Sequence, residues 1–206
     1  METIHDFEFD AGWLCLDFAN TLGDRPAPQP HEEDLHSYAD LVAWGEEAGI
    51  IAGDDATALR REAARRPPDA DTAFACAIAL REAIYRVFSA VVAEREPPAD
   101  DLATVNAAIA AAMAHACLVP AGEHFHWEWE RDSSALDGML WPIVWSAAEL
   151  LTAEELHRVH ECAGNDCGWL FLDTSKNGSR RWCSMETCGN RAKARRHRER
   201  QYAVVS

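Results

Sequence analysis

The sequence predicts a mainly α protein with a small β-hairpin, an α+β chain whose helical N-terminal body precedes a C-terminal treble-type zinc finger made of a hairpin and a basic helix. Three observations predict it. Apolar residues recur at helical spacing over most of residues 7–151, a period-two aromatic stretch interrupts them near 124–130, and four late cysteines form two Cys-x4-Cys pairs. The expected division is an acidic helical body over 1–157 and a finger over 158–203. No Gly/Ser/Pro linker separates them, so the two parts are expected to pack together.

Residues 7–22 begin as a short alternating strand, Phe-Glu-Phe-Asp, turn at Gly12 and continue as a first helix that Arg25 and the Pro26-x-Pro28-x-Pro30 loop end. Asp34 is the expected cap of a second helix, in which Leu35, Tyr38, Leu41 and Val42 share a face and Gly49 closes the run. A third helix is expected from Asp54 to Arg66, ahead of Pro67-Pro68. The longest spans roughly 70–95, with Leu80, Ile84, Val87, Phe88 and Val91 inward and Pro97-Pro98 as its stop. Asp101 starts the next, with Leu102, Val105, Ile109 and Met113 along one stripe.

The pattern then changes. Phe125, Trp127 and Trp129 alternate with His124, His126, Glu128 and Glu130, and Leu118-Val119 precedes Gly122, which reads as a hairpin with an aromatic inner face. A last body helix over about 136–151 places Met139, Leu140, Ile143, Val144 and Leu150 in the core. Pro142 either begins its second half or kinks it.

Charge divides the chain as sharply as pattern does. Residues 1–161 carry ten arginines and no lysine against 31 acids, whereas 162–206 carry nine bases against four acids, within a total of −16. An acidic body repels nucleic acid, so any phosphate contact has to come from the tail; the body's own charge needs no explanation beyond solubility. The uncharged stretch 102–122 is rich in alanine, includes Asn106 and His115 and ends near Pro120, too weakly apolar for membrane insertion. With no basic, apolar leader at the N-terminus and single cysteines at Cys15, Cys76 and Cys117 that read as small buried hydrophobes, the expected setting is a reducing, cytoplasmic one.

Cys162, Cys167, Cys183 and Cys188 are the only closely spaced soft ligands in the chain, and four thiolates hold one structural Zn2+ with no open position for catalysis. Gly164 and Asn165 between the first pair suit a left-handed metal knuckle. Trp169–Leu172 reads as a strand, Asn177-Gly178 as a hairpin turn, Arg180-Arg181-Trp182 as the return strand, and Cys188 as the start of the terminal helix, where the helix dipole favours a thiolate. On that helix Arg191, Arg195 and Arg198 form one stripe, and Lys193, Arg196 and Arg200 the opposite one. Ala192 and Ala194 lie between them, small enough to let the backbone approach a groove. A helix charged on both sides is either simply solvated or made for a polyanion; a metal-fixed start favours the second. Candidate DNA contacts are Lys176, Arg180, Arg181, Asn190, Arg191, Lys193, Arg195, Arg196 and Arg198.

These residues carry a resemblance. Cys-x4-Cys-Gly-Trp-Leu-Phe-Leu-Asp-x-Ser-x-Asn from Cys162, Arg-Arg-Trp-Cys-Ser from Arg180, and Cys188-Gly189-Asn190-Arg191 with its arginine-rich continuation resemble the CGNR zinc finger. Gly12-x-x-Cys-Leu-Asp-Phe-x-Asn-Thr-Leu with Arg25 resembles the start of the ABATE domain, which precedes that finger in bacterial proteins regarded as stress-responsive transcription regulators. The resemblance implies DNA binding through the finger and a sensory or ligand-binding role for the body.

Asp17, Asn20 and Arg25 are the candidate contacts for a small-molecule effector. The plainer alternative is that Asp17, Asn20 and Thr21 stitch a loop and Arg25 pairs with Asp17. Eight tryptophans are many for 206 residues, and core packing accounts for them more simply than a ligand cage. The chain contains no Ser-x-x-Lys, nucleophile elbow, phosphate loop or His-Glu-x-x-His, so it does not read as an enzyme. The expected function is zinc-dependent DNA binding for transcription regulation, with a body that senses a signal or mediates dimerisation; a single finger gains useful specificity from a homodimer or a second contact region. The competing expectations are a protein-interaction or autoinhibitory module, and an RNA binder using Trp169, Phe171 and Trp182.

Overall fold

A computed structural model describes residues 7–27, 32–130, 132 and 134–205, with Glu199 and 202–205 by backbone alone. Helices α1 (Leu14–Ala19), α2 (Tyr38–Glu47), α3 (Gly53–Arg65), α4 (Pro67–Val92) and α5 (Ala99–Met113) lead to a hairpin of β1 (Ala116–Ala121) and β2 (His124–Trp129). Helix α6 (Leu140–Thr152) and a 3-10 turn at Glu154–Arg158 follow, then β3 (Val159–Glu161), β4 (Leu170–Leu172), a π turn at Met185–Gly189 and α7 (Asn190–Val205). Both sheets are antiparallel pairs, β1 with β2 and β3 with β4. The chain is thus mainly α with two small hairpins, as its periodicities imply.

Helix α1 is short and central: Cys15, Leu16, Asp17, Phe18 and Ala19 are all buried. The strand expected before Gly12 does not form. Residues 7–10 lack regular structure, and Gly12, at φ 86°, turns the chain so that the Ala11 carbonyl accepts from the Leu172 amide at 2.8 Å. Pro28 and Pro30 of the proline loop lie outside the described residues.

Helix α2 is capped by Ser37, not Asp34. The Ser37 hydroxyl accepts from the Asp40 amide while the Asp40 carboxylate accepts from the His36 amide and the Ser37 hydroxyl, both at 2.9 Å, a reciprocal box one turn long. Gly49, at φ 72°, closes α2 with Ile50 N–H bonded to Gly45 C=O and Gly49 N–H to Glu46 C=O. The same pair of bonds ends α4, with Arg95 N–H on Ala90 C=O and Glu94 N–H on Val91 C=O. Glu94 takes the left-handed position there at φ 52°, so α4 stops at Val92, short of the expected Pro97-Pro98.

Prolines here open helices. Pro67 is the first residue of α4 and Pro98 caps α5, positions where a missing N–H leaves no hydrogen bond unmade. Asp101 accordingly sits in the first turn of α5 rather than at its cap. The buried face of α5 is Asp101, Val105 and Ala112, while Leu102 is 39% exposed, because the Arg86 guanidinium draws Asp101 inward with bonds of 2.6 and 2.8 Å. Pro142 is the third residue of α6, within the first turn, so the helix begins at Leu140 and is not kinked by it.

The core joins these elements: Phe18 of α1, Leu41 and Trp44 of α2, Ile84 and Phe88 of α4, and Ile143 and Leu150 of α6 are almost wholly excluded from water. Cys15 belongs to it, but Cys76 and Cys117 are exposed, against expectation. The β1–β2 hairpin is covered only at its base. Trp129 lies beside Trp141 and Trp145, and Trp127 beside Trp145, but Leu118, Phe125 and Trp127 are 57%, 67% and 42% exposed. The aromatic face is therefore an inner one only where the hairpin meets α6.

Candidate metal centre and basic helix

Strands β3 and β4 pair Val159 with Leu172, His160 with Phe171 and Glu161 with Leu170. The Cys162 amide extends the ladder to the Trp169 carbonyl at 2.8 Å, so the loop carrying Cys162 and Cys167 is the turn of this hairpin. The expected return strand at Arg180–Trp182 does not form. Asp173 holds that segment instead: its carboxylate accepts from the Ser175 amide at 2.7 Å and the Arg180 amide at 2.8 Å, while Ala163 N–H reaches Arg181 C=O. The Ser175 hydroxyl first, and then the Ser175 and Arg180 amides, hold the Asp173 carboxyl down at about 2.

The second cysteine pair arrives from the other side. Ser184 caps the terminal helix by accepting from the Thr187 amide; a single π turn follows, Gly189 N–H bonding Ser184 C=O, and Cys188 lies within it. Cys188 therefore sits in the π turn that runs directly into the basic helix.

All four sulfurs lie within 4.8 Å of one another, with Cys167 to Cys183 at 3.6 Å and Cys183 to Cys188 at 3.7 Å. Four sulfurs about 2.3 Å from a tetrahedral zinc stand roughly 3.8 Å apart, so the quartet has the size of one Zn2+. Hydrogen bonds from the Cys167 and Cys183 thiols and from the Cys183 and Gly164 amides lower the Cys162 thiol, and sharing those bonds with Cys162 raises Cys167 and Cys183. Only a cation lets all four be thiolates at once, and four protein ligands leave no position for a reacting water. The site is a structural zinc site.

Glycine matters here for a different reason than expected. Gly164 is not left-handed; a Cβ there would stand 3.2 Å from Cys167 Cβ and 3.3 Å from Cys188 Sγ, inside the sulfur cluster. The left-handed residue is Gly168, at φ 72°, whose missing Cβ leaves room for Arg25 Cβ and Pro26 Cδ, each 3.0 Å away.

Of the candidate contacts, Lys176, Arg181, Asn190, Arg191, Lys193, Arg196 and Arg198 are exposed and Arg195 is half-buried. Arg180 is turned inward: its guanidinium lies 4.6 Å from the Phe171 ring centroid and donates to the carbonyls of Trp182 and Cys183, closing the finger. Asn190 donates to Glu186 C=O at 2.9 Å, back into the π turn that precedes its helix. Ala192 is buried against the finger rather than lying between two solvent stripes, whereas Ala194 is exposed. Phe171 is fully buried, and the half-buried Trp169 and Trp182 pack against the cysteines, with the Arg181 guanidinium 5.3 Å from the Trp182 ring centroid.

Asp17, Asn20 and Arg25 do not form one cluster but make separate ties, those of Asn20 and Arg25 reaching the metal hairpin. The Asp17 carboxylate accepts from the Ala11 amide at 2.9 Å, and burial raises it to about 6. Asn20 exchanges two bonds with the backbone of Leu170 in β4. Arg25 pairs with Glu82 rather than with Asp17, donates to Ala19 C=O, stacks 3.7 Å over Tyr85, and its amide bonds Cys167 C=O. The sequence reading missed its neighbours, Arg81 bonded twice to Glu33 and Glu82 between Arg25 and Arg81. The available signal was the charged pair Arg81-Glu82 interrupting the apolar stripe of α4.

A second feature faces the basic helix. Glu8, Glu32, Asp34 and Asp166 line a cleft of 370 Å³ together with Arg191. Burial, reinforced by the charge of Glu33, raises Asp34 to about 6.

Among the described residues no helix is long and apolar enough to cross a membrane. A family model described as a putative stress-induced transcription regulator, ABATE, matches residues 12–154, and the model of the CGNR zinc finger matches residues 158–201. No curated protein matches the chain. With most of its length matched by one model and its metal-binding segment by the other, the chain belongs to the ABATE family and carries a CGNR zinc finger.

Proposed function

We propose that the chain is a cytoplasmic, zinc-dependent DNA-binding transcription regulator, with α7 and the adjoining turn contacting DNA and the acidic body receiving a signal or mediating dimerisation. The carrying observation is the exposure of Arg191, Lys193, Arg196 and Arg198 on a helix entered directly from the π turn that carries the metal ligand Cys188. Exposed arginines on a helix span phosphates and reach guanine edges, while the 31 acids of residues 1–161 keep the rest of the surface off the backbone. Lys176 and Arg181 add phosphate contacts from the finger; Arg180 and Asn190 act from behind, by holding backbone. Selection of genomic DNA fragments by the purified zinc form tests this: an enriched sequence motif, lost on chelation, is the expected result. No enrichment over bulk DNA would remove DNA from the function.

A second reading rests on the cleft that sets Glu8, Glu32 and Asp34 against Arg191. The finger then docks on acidic protein surface, its own body included, and the basic helix is masked until released. Amide exchange in α7 that quickens with salt and is indifferent to DNA would favour this reading. The burial of Phe171 and the packing of Trp169 and Trp182 weigh against RNA, which single-strand readers grip by stacking.

A further inference from the structure

A cleft between the α2–α3 turn, the end of β2 and the first turn of α6 has no part in the metal centre or the basic helix. Its volume is 480 Å³, within the range of small-molecule sites. Leu59 and Met139 form apolar wall, and two indoles, Trp129 and Trp141, stand with centroids 6.5 Å apart and planes inclined at 45°. Four carboxylates, Asp55, Glu128, Glu130 and Asp132, also line it, and among the described residues no lysine or arginine does.

The four acids are not equivalent. Glu130 is held by His115 at 3.1 Å, and Asp132 accepts from the amide and hydroxyl of Ser134 at 2.8 and 2.6 Å. Asp55 and Glu128 are half-buried and have no charged partner among the described residues. Carboxylates partly withdrawn from water without a counter-charge are stabilised by any cation that enters. Trp129, half-buried, supplies what a simple metal ion does not use, an electron-rich indole for a large, weakly hydrated cation, and Trp141, 4% exposed, forms the floor behind it. His115, which does not line the cleft, stacks flat on Trp141 at 4.0 Å and 2°, fixing the orientation of that indole before anything binds. The acidic body adds a general attraction for positive ligands.

We propose that this cleft binds an amphipathic organic cation, its ammonium or amidinium head at the carboxylate rim that includes Asp55 and Glu128 and its aromatic or alkyl body against Trp129. Anions are repelled by the rim, and neutral apolar molecules forgo the charge that distinguishes this cleft. The inference stands apart from the nucleic-acid reading, since binding is measured without DNA.

Calorimetry on the zinc-loaded full chain tests it, with benzyltrimethylammonium as the probe. Saturable one-to-one binding is expected, at least about tenfold tighter than for benzyl alcohol, the same ring without the charge, and no binding of benzenesulfonate. The double variant D55N/E128Q should lose about tenfold in affinity for the cation and none for benzyl alcohol. Trp129→Leu, which leaves the carboxylates in place, should weaken the cation by a similar factor. Absence of saturable binding, equal affinity for benzyl alcohol, or undiminished cation affinity in both variants would overturn the proposal.

Discussion

Asn20 and Leu170 are 150 positions apart and exchange two hydrogen bonds, Asn20 Nδ2–H to Leu170 C=O at 2.8 Å and Leu170 N–H to Asn20 Oδ1 at 2.9 Å. One side chain thereby completes the free edge of β4 as a neighbouring strand would, and it does so from the C-cap of the most central helix. The metal hairpin is thus built onto the body.

Asn20→Ala should consequently destabilise the whole chain. It leaves the Leu170 amide and carbonyl buried without partners, at about 2–3 kcal/mol. Denaturant unfolding of the zinc form measures the loss; a variant within about 0.5 kcal/mol of the parent would mean that water replaces the bonds.

Zinc removal should act unevenly. The finger cluster is little more than Phe171 and the four cysteines, with Trp169 and Trp182 against it, so the metal contributes on the order of 10 kcal/mol to its order. Cys188→Ser or chelation should release amide protection in the Cys162–Cys167 loop and the first turn of α7 while α2 and α4 keep theirs. Equal loss in both parts would contradict a body with its own core.

Arg180 and Arg191 should separate by readout. Arg180→Ala removes the donor to Trp182 and Cys183 carbonyls and should lower zinc affinity and melting temperature together. Arg191→Ala, on an exposed side chain, should leave the melting temperature within about 2 °C and weaken DNA binding several-fold. The reverse pattern would exchange their roles.

Stability should fall as pH rises from about 4 to 6. Asp17 and Asp34 both have carboxyls raised to about 6 by burial, so in this window the folded chain binds more protons than the unfolded one, and the stability they confer when protonated is lost as they ionise. Asp17→Asn, whose amide oxygen can still accept from Ala11, should flatten that slope and stabilise the chain above pH 6, on the order of 2 kcal/mol. An unchanged slope in D17N would exclude Asp17 as its source.

Much of this was legible in the sequence because it is local. Cysteine spacing names the ligands, the 3.6-residue period finds α3 and the apolar face of α4, and Gly49 closes α2. What was not legible depends on distant partners. The strand partner of β4 is β3 rather than Arg180–Trp182, because Asp173 diverts the later segment into a loop. The Arg25–Glu82 and Arg81–Glu33 pairs join positions 57 and 48 residues apart, a separation at which pattern carries no signal. Asp34 lost the cap of α2 to Ser37 because Asp40 returns the Ser37 bond, a reciprocity visible in Ser-x-x-Asp. The seam role of Asn20 and Arg25 had no such local sign.

The measurement closest to the central claim is the salt dependence of DNA binding by the zinc-loaded chain and by its R191A/R195A/R198A variant. A zinc-fixed helix engaging about six phosphates predicts a slope of log affinity against log salt near −5, with binding abolished in the variant although its cysteine cluster still holds zinc. A variant that binds with the parent's affinity and slope would contradict it.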